Sequence, residues 1–485
     1  MKENTAFTSI FKNRNPDLVN LFKKAGRPDK VMCVALDYAK TSHAALIANG
    51  EGEAFKQILD VRNTPAGVNF LLGEVKRLCR KHGIAPGHVC FGGEDCGGFS
   101  NNFIYALNAA GYRVVGFNAK DAKDQRENYQ ASTDKLDLLG ILKMLLDKRG
   151  VTRAAAQEDR SALQKLTRHR NGLTTSQTTV GNRIHDLVDQ LCPGFLDEKQ
   201  SGIPAFSEAS LVLMEDRFSA NRTATRNREA LIKKLKAAGL KKAEEKAVQL
   251  QTHAQSALGG DPKLSGALQT ALAHEVRLYR TLCDCIGQSE KEIALRLATC
   301  PGALLTATRG TGLVLAAGVF SELSGDSLSK AVRRSVSYAG IVPRTEQTGG
   351  PDKPAVQRSV SRRCNHRLKN SVVQCANHVG QHGPAELKED HARRAANGQH
   401  ADFGIGRRYL RMAIRLMRNR EIYKPKALRD HSDLEALKAY YLKTWPYLVA
   451  KWKKVGALDA AFDKNNPLGQ WRECVQSVYH IDLPL

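Results

Sequence analysis

Val31-Met32-Cys33-Val34-Ala35-Leu36-Asp37-Tyr38-Ala39-Lys40 is an apolar run that ends on an acid. Continuous apolar character over so short a length reads as a strand buried on both faces. With a side-chain period of two, Val31, Cys33, Ala35 and Asp37 share one face. Working outward, Ala45 to Asn49 and Ala54 to Val61 read as a hairpin around Asn49-Gly50-Glu51-Gly52, a strong turn signal. Pro65 to His82 follows with helical spacing, carried by Val68, Leu71, Leu72, Val75, Leu78 and Cys79. His88 to Phe91 is a second short strand that leads through Gly92-Gly93 into Glu94. A second carboxylate therefore stands just past the carboxyl end of a strand, where open α/β sheets gather their ligands.

A helix is expected from about Asn101 to Ala110 and a strand from Tyr112 to Asn118, after which Ser132-Thr133-Asp134-Lys135-Leu136-Asp137 opens another helix, with Ser132 or Thr133 as its cap. Asp134 and Asp137 then stand at i and i+3 on one helix face. Paired acids there repel unless cations lie between them. Magnesium prefers a few carboxylates plus waters and phosphate oxygens, and two such ions stabilise both the attacking and the leaving oxygen of a phosphoryl transfer. Any one of these acids alone is ordinarily a cap or a solvated surface group. The ordered set Asp37, Glu94, Asp134 and Asp137 is what an α/β ribonuclease H-like (RuvC-like) fold directs at one point, as catalytic residues and ligands of a two-ion magnesium site.

With these residues in place, the chain resembles the DEDD transposases of bacterial insertion sequences, insertion-sequence family 110, which includes the Piv-like invertases. The resemblance rests on Ala35-Leu36-Asp37-Tyr38-Ala39-Lys40, Gly93-Glu94, Thr133-Asp134-Lys135-Leu136-Asp137 and a second cluster: Leu304 to Leu323, Val336 to Arg344, Gln347-Thr348-Gly349 and Ser361 to Asn365. It covers roughly residues 30 to 425. It implies a transposase or recombinase that cleaves and exchanges DNA strands through a covalent hydroxyl-phosphate intermediate. The family's bridge RNA implies in turn a structured noncoding guide RNA encoded by the element, with donor and target double-stranded DNA as partners and a homo-oligomer, dimer or tetramer. Where the family carries Gln-Ser-Gly, this chain has Gln347-Thr348-Gly349. Thr348 retains a hydroxyl, although its methyl restricts χ1 and crowds attack. It is the expected nucleophile, with Ser359, Ser361 or an inactive copy as alternatives. A metal-dependent nuclease, a Holliday-junction-resolvase-like enzyme or an inactive nucleic-acid-binding relative would share much of this pattern.

A formal net charge of +25 over 485 residues is the footprint of a chain that binds phosphate backbones. The basic residues expected at nucleic acid are Lys123, Arg126, Lys135 and Arg168, and, around the expected nucleophile, Arg344, Arg358, Arg362, Arg363 and Arg367. Each alone is ordinarily a solvated charge; the clustering is the signal. Eleven cysteines without a regular framework fit reduced thiols. With no long apolar span and no apolar leader at Met1-Lys2-Glu3-Asn4, the reading is a cytoplasmic, nucleoid-associated bacterial protein with no membrane partner.

The expected layout is an N-terminal extension (1–28), the RuvC-like domain (29–150), a helical coiled-coil arm (151–298), a mainly α C-terminal transposase domain with a helix-hairpin-helix-like turn at Gly310 and Gly312 (299–425), and a helical extension (426–485). Stripes at Ile184, Leu187, Val188 and Leu191 and from Leu268 to Ile286 mark packing faces in the arm. Lys233 to Lys246 reads as one solvated helix. Cys364, His366, Cys375 and His378 imitate a zinc pattern, but residues 364 and 366 of one helix point to different sides. Trp445, Trp452 and Trp471 in the extension read as core residues before stacking platforms.

Overall fold

The apolar run forms β1 (Met32–Asp37) at the centre of a six-stranded sheet with β2 (Ser42–Asn49), β3 (Leu59–Arg62), β4 (Val89–Glu94), β5 (Arg113–Phe117) and β6 (Val151–Thr152). The computed structural model describes residues 14–94, 98–126, 133–152, 158–323, 332–346, 356–360, 364–398, 400–429 and 433–485. The chain divides into two compact units, Met1–Glu158 and Asp159–Leu485.

In the first unit the strand order is β3-β2-β1-β4-β5-β6. The pairs β1–β4 and β4–β5 are parallel, and β1–β2, β2–β3 and β5–β6 antiparallel. Helices α1 (Pro16–Ala25), α2 (Pro65–His82), α3 (Asn101–Ala109), α4 (Ala119–Lys123) and α5 (Asp134–Leu146) complete the unit. The period of two sorts the strands between two cores. Met32, Val34 and Leu36 pack with Leu71, Val75 and Phe103 of α2 and α3, whereas Cys33 and Ala35 pack with Leu138, Ile141 and Leu145 of α5. Asp37 continues the second series and so ends β1 on the α5 face.

The expected strand from Ala54 to Val61 is only partly formed. Ala54 makes an isolated bridge to Ala48, and the ladder resumes at Leu59. Asn49 Oδ1 accepts the amides of Glu51 and Glu53 at 3.0 and 2.9 Å, closing a side-chain turn. Phe55 then packs on the His82 ring, 4.4 Å between centroids, which draws the chain off the ladder.

The second unit opens with two long helices, α6 (Glu158–Leu191) and α12 (Pro262–Ala298). Arg170–Glu290 at 2.6 Å, Gln177–Cys283 at 3.0 Å and Arg183–Glu275 at 3.0 Å show that they run antiparallel. Between them lie α7 (Glu198–Ser201), α8 (Glu208–Met214), α9 (Ala220–Thr225), α10 (Arg228–Ala237) and α11 (Ala243–Ser256). The single solvated helix read across Lys233 to Lys246 is therefore two helices. Gly239, at φ +76°, ends the first, and Leu231, Leu235, Ala243 and Ala247 are buried.

A 3-10 turn (Pro301–Ala307), α13 (Leu313–Glu322), α14 (Val332–Tyr338), the antiparallel pair β7 (Pro343–Glu346) and β8 (Val356–Val360), α15 (His366–His382), α16 (Ala385–Ala396) and α17 (Ala401–Asn419) follow. The last helices are α18 (Leu434–Lys454), α19 (Leu458–Phe462) and α20 (Pro467–Tyr479). One apolar cluster joins Ile293, Leu304, Val319 and Val372 to Trp445, Trp452 and Trp471. Trp452 Nε1 donates to Thr306 Oγ1 at 3.1 Å, and Lys451 Nζ donates to the carbonyls of Thr306 and Thr311 at 2.7 and 2.8 Å. Among the described residues no helix is long and apolar enough to cross a membrane.

Candidate active site

Three elements bring the four acids toward one region of the first unit. The parallel register of β1 and β4 sets Leu36 opposite Gly93, so Asp37 and Glu94 end adjacent strands side by side. Helix α5 lies against both strands and starts with the other two acids. Thr133 caps it: its hydroxyl accepts the Leu136 amide at 3.3 Å, and its carbonyl accepts the Asp137 amide at 3.0 Å. Two glycines permit this approach. A Cβ on Gly92 would lie 2.8 Å from Leu145 of α5, and one on Gly140 would lie 2.6 Å from the Ala122 carbonyl. Gly140, one turn beyond Asp137, thus lets the end of α4 ride directly on α5. Arg126 is delivered by that contact, and its guanidinium pairs with Asp137 Oδ1.

Electrostatics reports the crowding. Burial pushes the Glu94 carboxyl up to about 7; Arg126 opposes this, and the charges of Asp137 and Asp37 add to it. Burial also raises Asp37, with Asp137 and Asp134 acting in the same direction and Arg126 against them. Among the described residues, Glu94 Oε1 is buried without a hydrogen-bond partner. The cluster is thus rich in hard oxygen donors and short of positive charge, with one guanidinium as its internal counter-ion. That donor chemistry suits a small divalent cation. Among the described residues, no group of three or more His, Cys, Asp or Glu side chains is yet closed around a single point as a metal site.

The basic residues distribute differently from their sequence pattern. Arg126 is nearly buried among the acids. Arg168 is bound by buried Glu322 through two hydrogen bonds of 2.7 and 2.9 Å. Lys123, Lys135 and Arg367 are exposed. Arg344 and Arg358 are backbone partners in the β7–β8 register. Thr348, Arg362 and Arg363 lie outside the described residues, as does Ser361; Ser359 lies in β8. Cys375 is fully buried, where desolvation drives its thiol up to about 12.

The positioning roles of Gly92 and Gly140 were not read from the sequence, where Gly92 is half of a Gly-Gly pair before Glu94 and Gly140 is a lone glycine in an apolar stretch. Two family models now bear on the same residues. One, for the DEDD transposase of IS110 elements, described as Transposase, matches residues 34–193 and so contains all four acids. A second, Transposase IS116/IS110/IS902 family, matches residues 302–392. The chain belongs to the IS110 family of transposases. Its membership makes it a DNA-recombining enzyme whose substrates are DNA. No curated protein matches the chain.

Proposed function

We propose that this IS110-family chain cuts and rejoins DNA at Asp37, Glu94, Asp134 and Asp137, and that its sheet, of order β3-β2-β1-β4-β5-β6, is a ribonuclease H-like one. The observation that carries the reading is the convergence of β1, β4 and the start of α5, which places Asp37 and Glu94 at the ends of adjacent strands and Asp134 and Asp137 in the first turn of the helix packed on them; burial, with the neighbouring acids adding to it, raises the Glu94 carboxyl there. In this reading the four carboxylates hold divalent cations, magnesium being the ion suited to an all-oxygen set. When bound, the ions supply charge stabilisation to the attacking and leaving oxygens of the phosphodiester. The chain's own contribution is to orient the acids through Thr133, Gly92 and Gly140, and to neutralise them with Arg126 until the cations enter. Thr348 supplies the attacking hydroxyl: its Oγ1 gives up its proton to solvent and bonds to phosphorus, the bond to the 3′ or 5′ oxygen breaks and that oxygen takes up a proton, and the phosphoester keeps the bond energy for rejoining. Nucleic-acid partners, a structured RNA of the element among them, belong to the same reading, which the net charge of +25 favours; self-association belongs to it as an expectation from the family resemblance alone.

The test incubates the full chain with donor DNA, its RNA and Mg2+, and reads strand cleavage, binding and any denaturation-resistant protein–DNA adduct. Asp134→Asn should abolish cleavage while leaving binding nearly intact. Thr348→Ala should remove the adduct and Thr348→Ser should keep it. Wild-type cleavage by Asp134→Asn would refute the acid assignment. Cleavage without an adduct in any variant would leave a metal-dependent nuclease.

A further inference from the structure

A cavity of about 600 Å³ in the second unit is lined by Arg394 of α16, by Arg407, Arg408, Arg411 and Arg415 of α17, and by Arg429. Glu386 is the single acid in its lining, and it is already engaged by Tyr423, by Arg429 at 3.5 Å and by Arg408 at 3.7 Å. Arg394 and Arg408 also reach Asp390, at 3.2 and 3.1 Å. Among the described residues, Arg407, Arg411 and Arg415 have no acidic partner. They stand at i, i+4 and i+8, so their side chains form one row on a single helix face. Like charges at this spacing destabilise a helix, and no acid among the described residues pairs with them. Burial and the neighbouring Arg394 and Arg411 together lower the Arg407 guanidinium. The backbone makes space for this concentration of charge, since a Cβ on Gly404 would lie 2.9 Å from the Arg394 side chain.

A fold that gathers cations and leaves them uncompensated is built for an anion it does not itself contain. Each step along the row advances about 6 Å along the helix axis, so the three guanidiniums span about 12 Å. That is longer than one phosphate or carboxylate, and it suits a strand whose phosphates recur about every 3.4 Å of axis. Guanidinium forks pair phosphate oxygens bidentately, which lysines in the same places would not do. We propose that this arginine-lined cavity is a binding site for the phosphodiester backbone of a nucleic-acid strand. It fixes the strand's position without reading its bases. The inference rests on the nucleic-acid reading of the chain, and adds a site remote in sequence from the four acids and from every basic residue singled out by sequence pattern.

The experiment is a fluorescence-anisotropy titration of the full chain in EDTA, at several salt concentrations. One arm uses a 30-base-pair duplex DNA of arbitrary sequence and the other a 30-nucleotide single-stranded RNA. The variant is Arg407→Gln/Arg411→Gln/Arg415→Gln, with the three Arg→Lys changes as the conservative counterpart. The Gln variant should weaken binding on the order of tenfold and reduce the salt slope by about 2 to 3. Its melting temperature should hold or rise, because repulsion is removed. The Lys variant should keep the slope while losing affinity. A loss in both arms marks shared backbone chemistry, whereas a loss in one arm assigns the occupant as DNA or as RNA. Unchanged affinity and slope in both arms overturn the proposal, as does a lowered melting temperature with unchanged slope, which would make the arginines structural. In a further titration with labelled poly-glutamate, loss of binding there with both nucleic-acid arms unchanged would also overturn it, in favour of an acidic protein partner. Because EDTA silences the carboxylate chemistry, a chain that cuts no DNA can still pass this test, and a chain that cuts can still fail it.

Discussion

Burial, with the charges of Asp137 and Asp37 beside it, lets Glu94 hold its proton to about pH 7 in the folded chain, against an ordinary value of 4.5. Between those values the native state binds the proton that the unfolded chain has lost, so metal-free stability falls as pH rises from about 4.5 through 7. Glu94→Gln removes that dependence. It should raise the metal-free melting temperature at pH 8, by the equivalent of about 1–3 kcal/mol, and leave it unchanged at pH 4. Thermal melts in EDTA across this range check it; parallel pH profiles for the two proteins would mean that Glu94 ionises normally. The same proton competes with a cation for the carboxylate, so wild-type affinity for Mg2+ should climb through the same interval, as calorimetric titration would record.

Helix α5 joins local signals to tertiary placement. Its start was legible in Thr133 and the two aspartates, because capping and i, i+3 spacing are local. The strands β1 and β4 were legible from unbroken apolar runs, and the long helices α6 and α12 from their stripes. What could not be read depends on contacts distant in sequence. Arg126 looks like a solvated phosphate ligand until Gly140 lets α4 settle against α5. The β7–β8 pair carries too little alternation to announce itself, and the i, i+4, i+8 arginines of α17 lie outside the basic clusters that the sequence pattern singled out. Gly140→Ala tests the first of these. The new methyl meets the Ala122 carbonyl at 2.6 Å and a backbone atom cannot swing aside. The change should cost about 1–3 kcal/mol and raise Asp137's access to cations by loosening Arg126. A melting temperature within error of wild type would show that α4 yields freely.

Across the whole chain, the division of labour follows the two units: the acids lie in the first, and the arginine row and the tryptophan-rich helices α18 to α20 in the second. Those last helices are structural members of their unit, since Tyr441, Trp445, Leu448 and Trp452 are buried in its main core. Losing a single large aromatic from a core costs about 3–5 kcal/mol, and a domain's whole stability is about 5–15 kcal/mol. Removing residues 434–485 should therefore abolish cooperative melting of the second unit, as scanning calorimetry would show. A truncated protein that keeps the full unfolding enthalpy of residues 159–433 would reduce these helices to an appendage. Leu163 and Leu483 belong to the same cluster, and this sets a timetable for biosynthesis. At about 5–20 residues per second, on the order of tens of seconds separate the emergence of these two partners from the ribosome. During that interval the helices that will carry the arginine row have no finished core to rest on. A message cut short, or a ribosome stalled, before residue 483 then yields a chain with its acids but without a settled second unit, so synthesis through residue 483 becomes a checkpoint on any use of that surface.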